Sequence, residues 1–307
     1  MQNQTIRDIG KYIPFGRNID NLFRYGTYKT HYQTLLRANN IREEEMLIIG
    51  TIARSGTHYM MLLLANYLAK INDKNKTIGP SDMNAIFPNN WHLHYMSYHR
   101  LPLGPFNLQE PKKPNELIDG IGLKEITRSH SLFQRIYWKK SPVLHLYRNP
   151  LDYAVSLYYY KHKKRLELAN RCRNPNEVLK LKFGNYVAMY KSYQNAAREG
   201  KYKVLRISYE NLIMKPEFYL TAVLQWLGHE PELQIIEDSL LASSIQNVRR
   251  AEKIGEVMNP EASNLVGSFI NSGQIGQWKK HFNVDDYKRW KKAFRGHEIE
   301  LDSFILE

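Results

Sequence analysis

Cysteine is almost missing from this chain: Cys172 is the only one in 307 residues. That excludes an internal disulfide framework and leans towards a reducing compartment. The N-terminus, Met1-Gln-Asn-Gln-Thr-Ile-Arg-Asp, lacks the basic region plus apolar core of a secretory leader. No uncharged apolar stretch reaches membrane-span length; residues 46 to 69 come nearest, and Arg54, Ser55 and His58 interrupt them. A cytoplasmic protein without a transmembrane segment is therefore expected. Linkers, low-complexity breaks and internal repeats are absent too, so one large α/β domain suits this length better than two. Acidic residues are scarce beside basic ones, 30 against 44, which leaves a net charge of +14. Such a field draws in a polyanionic ligand, and it also admits a rival class, a basic protein for nucleic-acid or membrane surfaces.

What is present begins with Met46-Leu-Ile-Ile-Gly-Thr-Ile-Ala-Arg-Ser-Gly-Thr-His-Tyr59. Met46 to Ile49 read as a strand covered on both faces, Gly50 to Thr57 as a turn, and Met60 to Ala69 as a largely buried helix. The backbone N–H groups of Ser55, Gly56, Thr57 and His58 would converge at the helix start, where unpaired donors and the helix dipole favour an anion. Arg54 adds a full charge, and Ser55 and Thr57 add hydroxyls. A nucleoside-triphosphate loop requires G-x-x-x-x-G-K-[ST]. Here Gly50 and Gly56 are spaced one residue wider and Arg54 precedes the second glycine, which disfavours a magnesium-dependent kinase or NTPase. Alone, the segment could equally be an ordinary strand-turn-helix of an α/β core.

Three further segments accompany it. Pro142 to Ser156 is a second strand-turn-helix, with Val143 to Tyr147 as strand, Asn149 as N-cap and Pro150 at the first helical position. Asp152 falls in the first turn, where a structural role complementing the dipole is expected. Val204 to Leu212 is a strand leading into Tyr209 and Glu210, and Ser272-Gly-Gln-Ile-Gly-Gln-Trp-Lys-Lys-His-Phe282 follows near the end.

In this order the four segments resemble the PAPS-dependent sulfotransferases, which move a sulfonate from 3'-phosphoadenosine 5'-phosphosulfate to an acceptor. Thr51 to Tyr59 matches the family's 5'-phosphosulfate loop, T-x-P-K-S-G-T-x-x, and Arg148 to Ser156 matches its 3'-phosphate element, R-N-P-x-D-x-x-V-S. Tyr209 to Leu212 matches Y-E-x-L, and Gly273 to Lys279 matches G-x-x-G-x-W-K. The resemblance implies a P-loop-like α/β fold, a single domain with a mainly parallel central sheet flanked by helices and a phosphosulfate-binding strand-loop-helix. It implies PAPS as co-substrate with no metal, bound by Arg54, Ser55, Gly56, Thr57, His58, Tyr59, Arg148, Ser156, Tyr209, Ser272 and Gly273. Two departures stand out. The loop lysine is Arg54, which can stabilise developing charge but not act as a general acid. The C-terminal R-K-G that clamps the 3'-phosphate reads Asn271-Ser272-Gly273, so Arg148, Ser156 and backbone near Gly273 must carry more of that contact, with Arg249 or Arg250 as candidates to help.

Ile121 to His130 reads as a strand ending in Arg-Ser-His, similar to the K-T-H of cytosolic members. It implies His130 as the base that takes the acceptor's proton, with Arg128 beside the transferred group. The plain alternative is a solvated surface histidine. Glu125, by analogy with glycan-modifying relatives, is a lesser candidate; strand alternation puts it on the opposite face from Arg128 and His130. His92, His94 and His99 lack the further ligands of a zinc site.

Residues 46–307 are expected to form the sulfotransferase domain, and 1–45 a basic-aromatic arm or lid that includes Tyr12, Phe15, Tyr28 and Tyr32. Residues 80 to 118, with Phe87, Trp91, Tyr95 and Tyr98, have the composition of an acceptor wall. A small metabolite carrying a hydroxyl or amine is the expected acceptor; a saccharide or lipid head group is the alternative. The best nucleic-acid or membrane patch, Tyr158-Tyr-Tyr-Lys-His-Lys-Lys-Arg165, reads more simply as a helix running out to solvent, and no nucleic-acid module accompanies it. The dimerisation segment of animal cytosolic members, K-x-x-x-T-V-x-x-x-E, has no match near the C-terminus, which leaves the oligomeric state open.

Overall fold

A computed structural model describes residues 32–88, 112–113, 120–135, 137–163, 172–253 and 273–304. Within them, β1 (Met46–Thr51), β2 (Glu125–Ser129), β3 (Val143–Tyr147) and β4 (Val204–Ser208) form one parallel sheet in the order β2-β1-β3-β4. The central strand β1 is buried at every position. Its Met46 and Ile48 face one apolar cluster and its Leu47 and Ile49 the other. This two-sided burial is the physical reason for the unbroken apolar run in the sequence.

On one face lies a helix, α1, described over residues 32–38, whose Tyr32 and Leu35 are buried in the first cluster. The second face is covered by α2 (Thr57–Asn72), which is buried from Met60 to Lys70, and by the tetrapeptide helix α3 (Met83–Ile86). The first face also receives α4 (Pro150–Lys163) and α5 (Pro175–Arg198). After β4 come α6 (Tyr209–Met214), α7 (Pro216–Leu227), α8 (Leu233–Ala242) and α9 (Ile245–Lys253), with α7 and α8 packed beside α2 in the second cluster. Last is α10 (Val284–Arg295), whose Trp290 and Phe294 return to the first cluster. The result is a three-layer α/β arrangement with helices on both faces of a parallel sheet.

Tyr32, read from sequence as part of an arm, is instead a core residue: it is 2% exposed and its hydroxyl pairs with Ser141 Oγ at 2.9 Å. Residues 1–31 lie outside the described ones. Asn149 caps α4 as expected, its Oδ1 accepting from Leu151 N at 2.9 Å. Tyr209 and Glu210 open a helix where the sequence suggests only the end of a strand, because Ser208 Oγ caps it by accepting from Asn211 N at 3.2 Å.

All four strands point the same way, so their C-terminal ends share one edge of the sheet. Directly after β2, β1, β3 and β4 come His130, the loop 52–56, Arg148 and Tyr209. Open α/β sheets hold their ligands along this edge.

Candidate active site

The loop after β1 is tight. Ser55 N donates to the Ile52 carbonyl at 3.2 Å, Arg54 takes φ 69° and Gly56 takes φ 83° as the residue before α2. A Cβ on Gly56 would sit 2.7 Å from the Tyr209 ring, so glycine serves both the left-handed backbone and this close approach. The first turn of α2 then presents its orphan N–H groups at the sheet edge. Ser55 is fully buried, and its Oγ has no hydrogen-bond partner among the described residues. The Thr57 hydroxyl, by contrast, is engaged: it donates to Thr51 Oγ1 at 3.0 Å. Tyr59 packs against the second cluster, and burial raises its phenol to about 12.

Arg54 does not extend from the loop into solvent. Its Nε donates to Ser156 Oγ at 3.3 Å, and its guanidinium lies 4.5 Å from the Tyr160 ring centroid. Burial pushes it down to about 10, and the nearby Arg148 cation adds to that. Arg54 thus keeps its charge at neutral pH, and its guanidinium and that of Arg148 repel each other where an anion would relieve them. Tyr158, Tyr159 and Tyr160 are partly buried and pack against the first cluster, so the aromatic half of the basic-aromatic segment leans on the core.

His130 follows β2 directly. Its Nδ1 lies 2.8 Å from the Thr51 carbonyl and 2.8 Å from Thr51 Oγ1. A carbonyl oxygen can only accept, so Nδ1 carries the ring proton and Nε2 is the basic nitrogen. Burial pushes the imidazole down to about 4; the Thr51 hydrogen bond opposes this shift and Arg128 adds to it. On the same strand Arg128 is buried, and its Nη1 donates to His58 Nε2 at 2.7 Å. Burial, then Arg128, Arg54 and His130, hold His58 well below its usual range, so it too is neutral. Glu125 is fully buried and its Oε1 accepts from Ile126 N at 3.1 Å.

Arg148 follows β3. Its Nη1 donates to the Arg54 carbonyl at 3.3 Å and its Nη2 to the Gln274 carbonyl at 3.1 Å, and its guanidinium lies 4.3 Å from the Tyr209 ring centroid. The Tyr209 hydroxyl donates to the Gly273 carbonyl at 3.0 Å. Asp152 does more than complement a helix dipole: Oδ2 accepts from Gly276 N at 2.6 Å and Oδ1 from Trp278 N at 2.8 Å. Three side chains from two strand ends therefore hold the segment 273–278 across the sheet edge. Glu210 is fully buried; its Oε1 accepts from Asn149 N at 3.0 Å and stands 4.0 Å from Arg148 Nε. Burial pushes its carboxyl up to about 7, against the pull of Arg148.

The fold thus brings Arg54, Ser55, Gly56, Thr57, His58, Arg128, His130, Arg148, Ser156, Tyr209 and Gly273 to one edge. Ser272 and Asn271 lie outside the described residues, as do Trp91, Tyr95, Tyr98 and the three histidines at 92, 94 and 99. Phe87, read as an acceptor-wall residue, is fully buried in the second cluster. Arg249 and Arg250 are exposed on α9. Among the described residues no His, Cys, Asp or Glu cluster could hold a metal, and no helix is long and apolar enough to cross a membrane. Although Thr51 and Glu210 stand inside matched motifs, the sequence reading assigned no role to Thr51, Glu210 or Tyr193. The last donates to the Ser131 carbonyl at 3.0 Å beside His130, and its tight contact with Gly50 left no local pattern to find. The buried Ser55 Oγ and Arg148 Nε, neither with a hydrogen-bond partner among the described residues, fit the oxygens of a phosphate or sulfonate.

Comparison with known proteins agrees with this fold. The family model described as sulfotransferase domain matches residues 44–301. Sulfotransferase 2B1 of Rattus norvegicus is 25% identical over 300 residues, covering 92% of this chain and 79% of its own. The 3-beta-hydroxysteroid sulfotransferase of Cavia porcellus is 25% identical over 197 residues, 61% of this chain and 67% of its own. Among solved structures, a retinol dehydratase in complex with retinol and PAP superposes with a TM-score of 0.61 at 15% identity, covering 91% of this chain and 87% of that one. A mouse sulfotransferase complexed with PAP superposes with a TM-score of 0.54 at 16% identity, covering 89% and 91%.

Proposed function

Because the chain belongs to the sulfotransferase family and is a PAPS-dependent enzyme, we propose that it transfers the sulfonate to a hydroxyl or amine of a small-molecule acceptor, with His130 as base. When bound, PAPS supplies an activated sulfonate whose bond to the 5'-phosphate breaks as the acceptor's oxygen or nitrogen bonds to sulfur. Each residue role is a matter of position. The α2 N-terminus, Ser55 and Arg54 are suited to the 5' end of the nucleotide, and Arg148, Ser156 and Tyr209 to its 3' end. Arg128, fixed by its hydrogen bond to His58, is suited to the oxygens of the transferred group. His130 Nε2 accepts the acceptor's proton, because the Thr51 carbonyl holds the other ring proton on Nδ1. Pre-positioned cations do most of the work in such an in-line displacement, by analogy with phosphoryl transfer.

The observation that most supports this reading is the buried Ser55 Oγ and Arg148 Nε, neither with a hydrogen-bond partner among the described residues, together with the repulsion between Arg148 and Arg54. For the acceptor, the hydroxysteroid named for the Cavia porcellus relative makes an apolar ringed alcohol the first class to screen. The test is calorimetric titration with 3',5'-adenosine bisphosphate and, separately, with ATP and Mg²⁺, at moderate salt. One-to-one binding of the bisphosphate alone is expected; preference for ATP, or no binding, would return the site to the kinase or binding-protein readings.

A further inference from the structure

The Arg148 guanidinium is incompletely held. Its two terminal nitrogens reach carbonyls, while Nε has no hydrogen-bond partner among the described residues and stands 4.0 Å from Glu210 Oε1. That separation permits an ion pair but not a hydrogen bond. Glu210 is incompletely held as well: Oε1 accepts from Asn149 N at 3.0 Å, whereas Oε2 is buried with no partner among the described residues. A carboxylate in this position depends on the neighbouring cation for its charge.

We infer that Glu210 is the positioning residue of Arg148 and the group that takes up a proton from solvent when a 3',5'-bisphosphate nucleotide binds. The inference rests on the nucleotide reading above. A phosphate oxygen arriving at Arg148 claims the charge that had offset Glu210 and brings a second anion close to a fully buried carboxylate. Protonation removes the repulsion: one proton leaves the solvent, and one O–H bond forms on Glu210.

The groups facing Glu210 do not compete for that proton. Both Asp152 oxygens already accept from Gly276 and Trp278. Burial holds the phenols of Tyr147, Tyr186 and Tyr209 above their ordinary range, so they are already protonated. In the ligand-free protein the Glu210 carboxyl, at about 7, is mostly ionised by pH 8. At that pH His58 and His130 stay neutral, and the phosphates, whose second ionisation lies near about 6, are fully charged.

Calorimetry of the whole chain with 3',5'-adenosine bisphosphate at pH 8, in buffers of different ionisation enthalpy, counts the protons. Most of one proton should be taken up per nucleotide. The uptake should disappear in Glu210→Gln, whose amide keeps the shape and can still accept from Asn149. Binding without uptake, or unchanged uptake in Glu210→Gln, overturns the inference and leaves the functional reading standing; no bisphosphate binding overturns both. If Glu210→Gln does not fold, the wild-type chain carries the test alone. Its association constant should fall by up to about tenfold per pH unit between about pH 7.5 and 9, and a flat profile overturns the inference.

Discussion

His130 and Arg148 divide the proposed chemistry between a group that must be neutral and one that must be charged, and burial acts differently on each. An imidazole loses its proton readily when desolvated, whereas a guanidinium retains its charge. His130→Ala should lower transfer by about 10²- to 10⁴-fold while bisphosphate affinity holds; turnover near wild type would move the base elsewhere. On the proposed reading, in which Arg148 pairs with a desolvated phosphate, Arg148→Ala should weaken bisphosphate binding by on the order of 2–4 kcal/mol, and an unchanged dissociation constant would remove it from the site. These two residues were legible in the sequence because each ends a strand inside a recognisable motif. Thr51 and Glu210 also stand inside matched motifs, but their roles were not legible there. Their importance comes from what lies across the strand edge, Nδ1 of His130 in one case and Arg148 in the other, and no local spacing encodes that.

At the scale of elements, strands β1 and β3 and the start of α4 were legible because local signals agreed: apolar runs, a capping asparagine and a proline at the first helical position. The helix at Tyr209 was not, since its cap, Ser208, sits inside an otherwise strand-like run. Gly50 is the clearest case of long-range constraint. A Cβ there would lie 2.3 Å from Tyr193 Oη, and the Tyr193 ring is stacked on His145 at 4.1 Å and cannot retreat. Gly50→Ala should therefore cost about 1–3 kcal/mol, read as a lower urea midpoint. It should also reduce transfer beyond that loss of stability, because Tyr193 holds Ser131 next to His130. Wild-type stability in this variant would mean that the sheet and α5 separate more easily than their contact suggests.

At the scale of the whole molecule, three imidazoles among the described residues shape the response to acid. His58, His130 and His145 are all held below their ordinary range, chiefly by burial. Folded, they resist protonation; unfolded, they accept it near about 6.5. Their contribution is complete above that value and is lost as pH falls below it, towards about 4 for His130. Glu210 acts in the opposite sense, its stabilising proton being lost as pH rises from about 4.5 through about 7. Three groups outweigh one, so the urea midpoint of the ligand-free protein should fall between about pH 6.5 and 4.5; a midpoint that rises over this interval would show that these rings are solvated.

The order of the strand ends also has a metric consequence. Parallel strands lie about 4.8 Å apart, so His130 after β2 and Tyr209 after β4, three strand positions away, are separated by roughly 14 Å of sheet edge. The edge works as a ruler: a molecule that engages both ends must be that long and must carry its reactive group at the β2 end. On the proposed reading, discrimination between donors of different length is set by the spacing of backbone strands, which side-chain substitution cannot retune.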